Sequence, residues 1–494
     1  MKAWIETVLL SCLLGITAPA ADGPVSTRTG PPVVRPPRVY GNRPGTELIF
    51  TVAATGERPM TFEAEGLPPG LALDRAEGIV RGRVEQAGTY AVKITARNRL
   101  GSDEATLTFE IGDTLALTPP MGWMSWNKFG PNISGDLLRE TADAVVREGL
   151  RDVGYRYIVI DDHWHGERDD EGYIHPDPKK FPRGMKALAD YLHARGLMLG
   201  IYSDAGTRTC GGEPGGYGYE EKDAETYAEW GVDYLKYDYC NAPKGRAEAE
   251  KRYRAMAAAL RAVDRSIVFA VCEWGVREPW KWARDAGGNL WRTTWDIRDT
   301  WHHGRYDAGH AGILQVIDRQ AAVTGYAGPG GWNDPDMLVV GLHGKGLSSS
   351  HDGARGCTAA EYGTQTALWC MLSAPLLASC DVRNMDDETR RILLNPEVIA
   401  LDQDTLGKSA ERKVHGERFD VWVKPLYDGD TAVALLNRSD APAEIAADFG
   451  RLGLEKGRYK VRDLQARRDL GLFEGAVTRT VEPHGTALLL LAGE

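Results

Sequence analysis

Hydrophobic and polar positions follow three different patterns along the chain, and the first covers residues 39–113. Short runs there alternate apolar and polar side chains and are separated by Gly, Pro and Asn, as in ELIFTVAAT, GIVRGRV and TYAVKITARN. Alternation with a period of two is typical of β-strands that bury one face. Several such strands in one stretch predict an immunoglobulin-like β-sandwich.

The second pattern covers residues 114–407, where apolar runs alternate with amphipathic segments of helical period. The predicted helices include SGDLLRETADAVVREG, which Ser134 caps, and RGMKALADYLHARG, which Gly196 ends. Eight apolar runs with intervening helices predict a (β/α)8 TIM barrel. An open doubly wound sheet is the alternative, but no glycine-rich nucleotide loop follows its first strand. The runs are MGWMSW, YRYIVIDD, LMLGIYSD, VDYLKYD, SIVFAVCEW, LWRTTWDI, GWNDPDML and APLLASCD.

The third pattern covers residues 408–494, where the helical period stops and alternating runs such as RFDVWVKPL and TAVALLNRS return. It predicts a C-terminal antiparallel β-sandwich. The expected fold class is therefore α/β, with a catalytic barrel flanked by one β-sandwich on each side.

Two segments precede these domains. Residues 1–20 combine Lys2, the apolar run VLLSCLLGI and the small residues APAA, a pattern typical of a cleaved signal peptide. A lipoprotein signal at Cys12 is the less favoured alternative, because the residues after Cys12 stay apolar. Residues 21–38 are rich in Pro, Gly and Arg and are predicted to form a linker. We therefore expect an exported protein, secreted or periplasmic, and no later run is long enough to span a membrane.

Composition and charge narrow the classes of function. The 494 residues carry a formal net charge of -11, whereas proteins that bind nucleic acid usually present basic patches. Seven cysteines are too few for a disulfide scaffold in a chain of this length. The histidines of HWH and the pair at 302–303 lack the spacing of a metal site. We therefore expect no nucleic-acid partner, no metal and no cofactor, and the sequence makes no prediction of oligomeric state.

Candidate chemistry first stands out in the run YLKYDYC, residues 234–240. Side chains alternate faces along a strand, so Lys236, Asp238 and Cys240 should share one face. Charges on the inner face of a buried strand are costly unless they are paired or used. A structural ion pair is one interpretation of this run, and a catalytic pair is the other.

Acidic residues also follow most of the other apolar runs, at the strand ends where barrels place their active sites. Trp and Tyr side chains accompany them, and carboxylates for hydroxyl groups together with aromatic faces for a ring suggest a sugar pocket. Glycoside hydrolysis needs two carboxyl groups on opposite sides of the scissile bond. Asp238 is the candidate nucleophile, because Lys236 would favour its charged form. Asp296, four residues after Arg292, is the candidate acid/base, although spacing alone does not assign either role.

Seven motifs, in order, resemble those of the α-galactosidases of glycoside hydrolase family twenty-seven. They are TPPMGWMSWNKF, DDHW, GLMLGIYSDAGTRTC, WGVDYLKYDYC, CEWG, WRTTWDI and GGWNDPDML. The resemblance runs from about Thr118 to Asp381 and extends to the C-terminal β domain. The N-terminal domain lies outside it and resembles the Ig-like repeats of bacterial surface and secreted enzymes. We expect a spacer role for this domain, and a sugar-binding role is the alternative.

The resemblance implies a retaining mechanism through a covalent glycosyl-enzyme, with Asp238 as nucleophile and Asp296 as acid/base. It implies a disulfide between Cys210 and Cys240 beside the site. It also implies a set of substrate-binding residues, namely Trp126, Asp161, Asp162, Tyr202, Lys236, Cys272, Glu273, Trp274, Arg292 and Asp336.

The resemblance further narrows the substrate. Asp161 and Asp162 match the pair that holds O4 and O6 of galactose, and Glu273 of CEWG is present. Both favour plain galactose, and N-acetylgalactosamine and arabinopyranose remain the alternative glycones. A non-catalytic carbohydrate-binding protein is the alternative from another functional class. The expected function is a secreted, exo-acting, retaining α-D-galactosidase that hydrolyses terminal α-galactosyl groups of galacto-oligosaccharides, galactomannans or glycoconjugates.

Three features depart from the family pattern. His163 stands where animal members have a disulfide cysteine, so that bridge is absent. Trp295 stands where plant members have Gly, directly before the candidate acid/base. The loop at residues 342–357 is long for the family. We expect Trp295 to narrow the leaving-group side of the cleft and the loop to add a wall to it.

Overall fold

The N-terminal domain is a β-sandwich, seen in a computed structural model that describes residues 26–304, 309–349 and 355–494. Its strands are β1 Val33–Val34, β2 Val39–Asn42, β3 Glu47–Thr51, β4 Ala54–Thr55, β5 Thr61–Glu65, β6 Leu71–Asp74, β7 Ile79–Arg83, β8 Gly88–Asn98 and β9 Gly101–Ile111. One sheet has the order β2-β9-β8-β5 and the other β3-β7-β6, and β1 pairs with β4. The predicted Ig-like sandwich is confirmed, and Phe50, Phe62 and Phe109 are buried in its core.

The strands of the central region are β10 Met121–Met124, β11 Tyr157–Val159, β12 His165–Arg168, β13 Ile174–Pro176, β14 Met198–Asp204, β15 Val232–Asp238, β16 Val268–Val271, β17 Leu290–Arg292, β18 Asp296–Ile297, β19 His310–Ala311, β20 Trp332–Asp334 and β21 Leu376–Ala378. Eight of them form one sheet in the order β20-β17-β16-β15-β14-β11-β10-β21, paired in parallel. Leu338, just after β20, forms a parallel bridge to Ala378 of β21 and closes the circle. The predicted barrel is therefore confirmed, and each of the eight apolar runs supplies one strand.

The helices of this region are α1 Trp126–Phe129, α2 Gly135–Arg147, α3 Gly184–His193, α4 Glu220–Trp230, α5 Arg246–Ala262, α6 Ile313–Gln320, α7 Ala359–Met371, α8 Asp387–Leu393 and α9 Pro396–Asp402. The hydroxyl of Ser134 accepts a hydrogen bond from the backbone N–H of Leu137, as expected of the cap of α2. Helix α3 ends at His193, before Gly196. Gly196 instead allows a close approach, since a Cβ there would lie 2.1 Å from the hydroxyl of Thr51 in β3.

Strand β15 shows why charged residues can lie inside the barrel. Two of its residues, Leu235 and Tyr237, face outward and pack in the main core between the sheet and the helices. Tyr234 faces inward and joins Tyr157 and Met198 in a second, interior core. Side chains alternate along a strand, so Lys236 and Asp238 continue the inward face toward the carboxyl end.

The N-terminal domain docks on the opposite end of the barrel from that carboxyl end. The hydroxyl of Thr51 donates to the carbonyl of Gly196 at 2.7 Å, and the backbone N–H of Arg43 donates to Ser266 at 3.0 Å. Arg156 places its guanidinium over the rings of Tyr40 and Phe50, about one residue before β11. These barrel residues precede strands β11, β14 and β16, so the domain covers the amino ends of the strands.

The C-terminal domain has the strands β22 Glu411–His415, β23 Phe419–Pro425, β24 Thr431–Asn437, β25 Ala443–Asp448, β26 Arg458–Asp463, β27 Arg468–Glu474, β28 Ala476–Val481 and β29 Thr486–Gly493. A sheet of order β22-β23-β24-β29-β26-β27 faces the antiparallel pair β25-β28. It packs on α7, where the buried Lys424 donates to Cys370 O at 2.9 Å and to Ser373 Oγ at 2.7 Å. The predicted antiparallel β-sandwich is confirmed.

The sequence predictions about export fall largely outside this description. The predicted signal peptide and Cys12 lie outside the described residues. Within the described part of the chain, no helix combines the length and the apolar character needed to cross a membrane.

A cluster of buried charged residues at the amino end of β15 should contribute to the free energy of unfolding. Asp233 accepts from the backbone N–H of Leu199 at 2.8 Å, lies 2.8 Å from His193 Nε2 and pairs with Arg265. Breaking a buried pair leaves an uncompensated charge, so Asp233→Ala should lower the free energy of unfolding by about 3 kcal/mol. Asp264→Ala, which removes one half of an exposed pair with Arg83, should cost less than about 1 kcal/mol. Urea unfolding of both variants measures this, and equal losses would contradict it.

Candidate active site

Strands β14 and β15 build the base of a cavity at the carboxyl end of the barrel. The register pairs Tyr202 with Lys236 and Asp204 with Asp238. The hydroxyl of Tyr202 donates to Oδ2 of Asp238 at 3.1 Å, and the backbone N–H of Tyr239 donates to Oδ1 at 3.1 Å. These bonds hold the Asp238 carboxyl in one orientation inside the barrel.

Lys236 binds Asp161 rather than Asp238. Its ammonium group donates to Oδ2 of Asp161 at 2.7 Å, and both side chains are buried. Burial raises the pKa of Asp238 to about 7, and the charge of Lys236 opposes this rise without cancelling it. The expectation that Lys236 simply keeps Asp238 ionised therefore needs correction, because desolvation has the larger effect on the pKa of Asp238.

Asp296 lies on the open side of the cavity, beyond the end of β17. Its side chain is 46% exposed, and Arg292 Nη2 donates to its Oδ1 at 3.0 Å. Enclosure by the cavity would raise the pKa of Asp296, but the charges of Arg292 and Lys236 and the hydrogen bond from Arg292 together lower the pKa below its ordinary value. The two candidate carboxyls therefore have environments that drive their pKa values apart.

Asp336 fixes the short strand β18 that carries Asp296. Its Oδ2 accepts from the backbone N–H of Ile297 at 2.8 Å and pairs with Arg292 at 3.0 Å. The backbone of Asp336 has a φ of 83°, in the left-handed region that few non-glycine residues adopt. A backbone conformation of this kind persists only where surrounding contacts determine it. At Asp336 those contacts are the bonds of its carboxylate to Arg292 and to the backbone N–H of Ile297.

Asp162 is held by backbone donors from two segments. His163 N–H donates to its Oδ1 and Gly211 N–H to its Oδ2, both at 2.7 Å. A Cβ on Gly211 would lie 2.4 Å from the His163 ring, so glycine is required for this approach. The ring of His163 stacks on Trp126 with an interplanar angle of 10°, and its Nδ1 lies 3.0 Å from Glu213. His163 thus braces Trp126 at the edge of the cavity.

The predicted disulfide between Cys210 and Cys240 is present. Cys210 is exposed, and its Sγ lies 3.6 Å from Oδ2 of Asp238. The bridge ties the loop after β14 to the loop after β15. Cys357, Cys370 and Cys380 are free and buried.

Most of the predicted site residues meet at one cavity. Nine of them line it together with Cys210, namely Trp126, Asp161, Asp162, Tyr202, Lys236, Asp238, Trp274, Asp296 and Asp336. Two others lie directly behind the lining. Arg292 contacts Asp296 and Asp336, and the thiol of Cys272 lies 3.7 Å from Arg292 Nη1.

Glu273 departs from its predicted position. Its side chain is fully buried, and its carboxylate accepts from the backbone N–H of Arg277 at 2.8 Å and from the Arg277 guanidinium at 3.0 Å. It is absent from the cavity lining. The chain bends at Glu273, just after β16 ends, and the Cys272 side chain rather than that of Glu273 interacts with Asp238. Glu273 instead stabilises the turn that contains Trp274, through its hydrogen bonds with Arg277.

Trp274 reaches the cavity through that turn. It has a φ of 57°, and Gly275 follows with a φ of 74°, where a Cβ would lie 2.2 Å from the carbonyl oxygen of Thr293. The indole of Trp274 stacks on that of Trp295, with ring centroids 5.9 Å apart and an interplanar angle of 21°. Trp295 therefore packs against a lining residue and directly precedes Asp296 in the chain, and its expected effect on the leaving-group side stays a prediction.

The sequence analysis did not single out several lining residues, namely Asn127, Ile297, Arg298, Met337 and Ser348. Asn127, Ile297 and Met337 adjoin motif residues, which was the available signal. Ser348 belongs to the loop at 342–357, and its hydroxyl donates to Asn127 Oδ1 at 2.6 Å. The described part of that loop thus contributes one side chain to the wall, while residues 350–354 lie outside the description.

Comparisons with known protein families cover all three domains. The family model described as alpha galactosidase A, Melibiase_2, matches residues 118–404. The model for the alpha galactosidase C-terminal beta sandwich domain matches residues 416–491. The model named "Putative Ig domain" matches residues 31–112.

Individual proteins are similar over most of the chain. Alpha-galactosidase A of Cellvibrio japonicus is 46% identical over 341 residues, which are 68% of this chain and 80% of that protein. A Bacteroides fragilis structure described as a "putative alpha-galactosidase/melibiase" is 49% identical, with a TM-score of 0.90 over 94% of this chain and 99% of that one. The alpha-galactosidase of Saccharomyces cerevisiae, solved with raffinose, is 29% identical, with a TM-score of 0.71 over 77% of this chain and 98% of that one.

Proposed function

This chain belongs to the alpha-galactosidase A family of glycoside hydrolases, and we propose that it removes terminal α-D-galactosyl groups with retention of configuration. The observation that supports the proposal most is the pair of unlike carboxyls in one cavity. Asp238 is buried at the base with two hydrogen-bond donors, whereas Asp296 is half exposed and bound to Arg292. Two carboxyls with different environments are what glycoside hydrolysis requires.

In the first step Asp238 attacks the anomeric carbon while Asp296 donates a proton to the leaving oxygen. The exposed position of Asp296 suits this role, because the leaving group must extend toward solvent. The transition state resembles an oxocarbenium ion. Its developing positive charge lies among the carboxyls of the cavity, and such fixed charges stabilise a transition state strongly in a site from which water is excluded.

In the second step Asp296 removes a proton from water, and this water attacks the anomeric carbon of the glycosyl-enzyme. Asp238 leaves, and the product keeps the α configuration after two inversions. Asp336 and Arg292 keep the Asp296 carboxyl in place through both steps by holding Ile297 and Asp296. The rigidity of β18 therefore matters for acid and base roles alike.

The glycone is proposed to bind with its polar edge against Asp161 and Asp162 and its apolar face on Trp126. Both carboxylates are held by fixed partners, Lys236 for Asp161 and two backbone N–H groups for Asp162. They are thus poised to accept hydrogen bonds from sugar hydroxyls. The inward-facing Tyr234 and the buried Trp332 fill the barrel below, so the cavity is a dead end that accommodates a terminal residue only.

Two further features concern the substrate. Because Glu273 points away from the cavity, we assign the filter against a bulky C2 substituent to Cys272 and Trp274. The yeast relative solved with raffinose supports galacto-oligosaccharides as one substrate class, with galactomannans and glycoconjugates as the others. The Trp274–Trp295 stack is placed to contact the ring that leaves.

Export is part of the proposal. The apolar N-terminal segment at residues 1–20 supports it, as does the disulfide between Cys210 and Cys240, since disulfides persist in oxidising compartments. We propose domain bounds at residues 39–113, 114–407 and 408–494. The expected linker at 21–38 needs correction, because Val33–Val34 form β1, which pairs with β4 of the N-terminal domain. The N-terminal domain is proposed to be a spacer, because it docks on the barrel end away from the cavity.

The roles of the two carboxyls can be separated with azide. Asp238→Ala should lower turnover of an activated aryl α-galactoside by roughly 10⁴-fold or more, and azide entering the vacated space should restore turnover and yield the β-galactosyl azide. Asp296→Ala should slow poor leaving groups by about 10²–10⁴-fold, spare activated aryl groups, and yield the α-galactosyl azide. Product NMR distinguishes the anomers.

The control for this experiment is Asp381→Asn. Asp381 is also an acid after a barrel strand, but it pairs with Arg383 and is absent from the cavity lining. It should retain wild-type turnover to within about twofold, as for substitutions away from a site. Near wild-type activity of Asp238→Ala without azide, or identical azide anomers from both variants, would contradict the assignments.

The pH dependence of kcat/KM follows from the coupled carboxyl pair. The reaction needs one proton on the pair, and the last proton leaves near the raised pKa of Asp238, about 7. Activity should therefore persist through mildly acidic pH and fall as pH rises past about 7, rather than past the ordinary aspartate value of about 4. The acidic limb of the kcat/KM profile should lie at a pH below the ordinary pKa of aspartate, because Arg292 contributes to lowering the pKa of Asp296.

Glu273 provides the control for that profile, since burial raises its pKa to about 7 against the opposing charge of Arg277. In Glu273→Gln the alkaline limb should remain near 7. A limb that disappears in this variant would assign the proton to Glu273 instead of the Asp238–Asp296 pair.

A further inference from the structure

A set of potential metal ligands surrounds the disulfide at the base of the cavity. One ligand atom each from Asp204, Cys210, Asp238 and Cys240 lies within 4.8 Å of all the others. The distance from Cys210 Sγ to Asp238 Oδ2 is 3.6 Å. Sulfur and oxygen ligands of a tetrahedral zinc ion lie about 3.5 Å apart, since Zn–S is about 2.3 Å and Zn–O about 2.0 Å. This edge of the cluster already has the length that a shared zinc ion would need.

The two carboxyls of the cluster are adjacent and poorly compensated. Asp204 is fully buried, and its oxygens accept from the backbone N–H groups of Gly206 at 2.6 Å and Cys240 at 2.9 Å. Among the described residues, no Lys, Arg or His lies within ion-pair distance of Asp204. The site therefore has the donor atoms for a cation but no protein cation of its own beside Asp204.

A second cluster in the chain shows the contrast. Asp318, His415 and Asp420 also lie close together, but Arg412 and Arg438 bind both of these aspartates. Their charges are already paired, so this cluster does not call for a metal.

The bridge itself decides whether the first cluster can bind zinc. Bonded sulfurs are not thiolate ligands, so the oxidised protein lacks two of the four donors. Cys210 is exposed and Cys240 is partly exposed, and exposed disulfides are the ones that exchange readily. A dithiol or phosphine reductant supplies two electrons, the S–S bond breaks and two thiols form. Zinc then displaces the two thiol protons and forms two Zn–S bonds.

We propose that reduction of the Cys210–Cys240 bridge creates a zinc site with Asp204 and Asp238, and that zinc bound there blocks the nucleophile. The proposal uses Asp238 as the nucleophile and so rests in part on the proposed function. The four donors, two thiolates and two carboxylates, match the preferences of Zn²⁺ for sulfur and oxygen ligands in tetrahedral geometry. The enzyme would be active when oxidised and silenced when reduced in the presence of zinc.

The test measures metal and activity separately on the full chain. Samples are oxidised or reduced with a phosphine, each with and without zinc chloride, and freed of unbound metal before assay. Reduced protein should retain equimolar zinc. Its turnover of an aryl α-galactoside should fall at least about tenfold, because zinc bound to Asp238 blocks the nucleophile. A chelator should restore the activity. Oxidised protein should retain no zinc and keep its turnover. Cobalt in place of zinc should give thiolate-to-cobalt absorption only after reduction.

Two variants make the ligands specific. Asp204→Asn keeps the disulfide and should weaken zinc binding by the reduced protein about 10-fold or more. Cys210→Ser with Cys240→Ser should abolish both zinc retention and the cobalt band. Should the double variant not fold, the Asp204→Asn comparison still decides the question.

The proposal is overturned if reduced protein retains no zinc, if oxidised protein binds it equally, or if zinc-loaded protein keeps full activity. Failure of the proposed function would look different. The oxidised protein would then not hydrolyse aryl α-galactosides at all, while zinc retention and the cobalt band would still report on the site.

Discussion

Burial of charge inside the barrel is the constraint on which this active site depends. Two buried cations, Lys236 and Arg292, serve a larger group of carboxyls at the ends of the strands. Each cation takes fixed partners, Asp161 for Lys236 and the pair Asp296 and Asp336 for Arg292. Among the described residues, the remaining carboxyls Asp238 and Asp204 have no cation of their own. Burial therefore raises their pKa values and favours their protonated forms. An excess of negative charge is costly to bury inside the barrel, but it favours a transition state that becomes positive.

The rest of the fold supports that arrangement from below and from the sides. Tyr234, Tyr157 and Met198 fill the barrel under the charges, so the cavity has a rigid floor. The N-terminal domain covers the amino ends of the strands, and the C-terminal domain packs on α7, so neither occupies the cavity. Loops complete the site at the carboxyl ends, where the disulfide joins the loops after β14 and β15. Activity and stability are therefore carried by opposite ends of the same strands.

Hydrophobic periodicity predicted the three folds and the shared face of Lys236 and Asp238, whereas most of the other site residues were implied by the resemblance to a known family. The inward face of β15 follows directly from the spacing of Lys236 and Asp238, and the outward face from Leu235 and Tyr237. Prediction failed where the backbone leaves the strand. Glu273 precedes the left-handed turn at Trp274, and an alternation argument applied to the CEWG motif as a whole does not show which of its side chains enters the cavity. The partner of Lys236 was also unpredictable, since Asp161 follows β11 and lies 75 residues earlier in the chain.

The stereochemistry of hydrolysis tests the central claim most directly, because it depends on both carboxyls acting in turn across the same bond. Proton NMR of an aryl α-galactoside digest, recorded before mutarotation proceeds, identifies the anomer released first. The account predicts α-galactose as the first product, through a glycosyl-enzyme on Asp238. Initial release of β-galactose would mean a single displacement by water, and would contradict the roles assigned to Asp238 and Asp296.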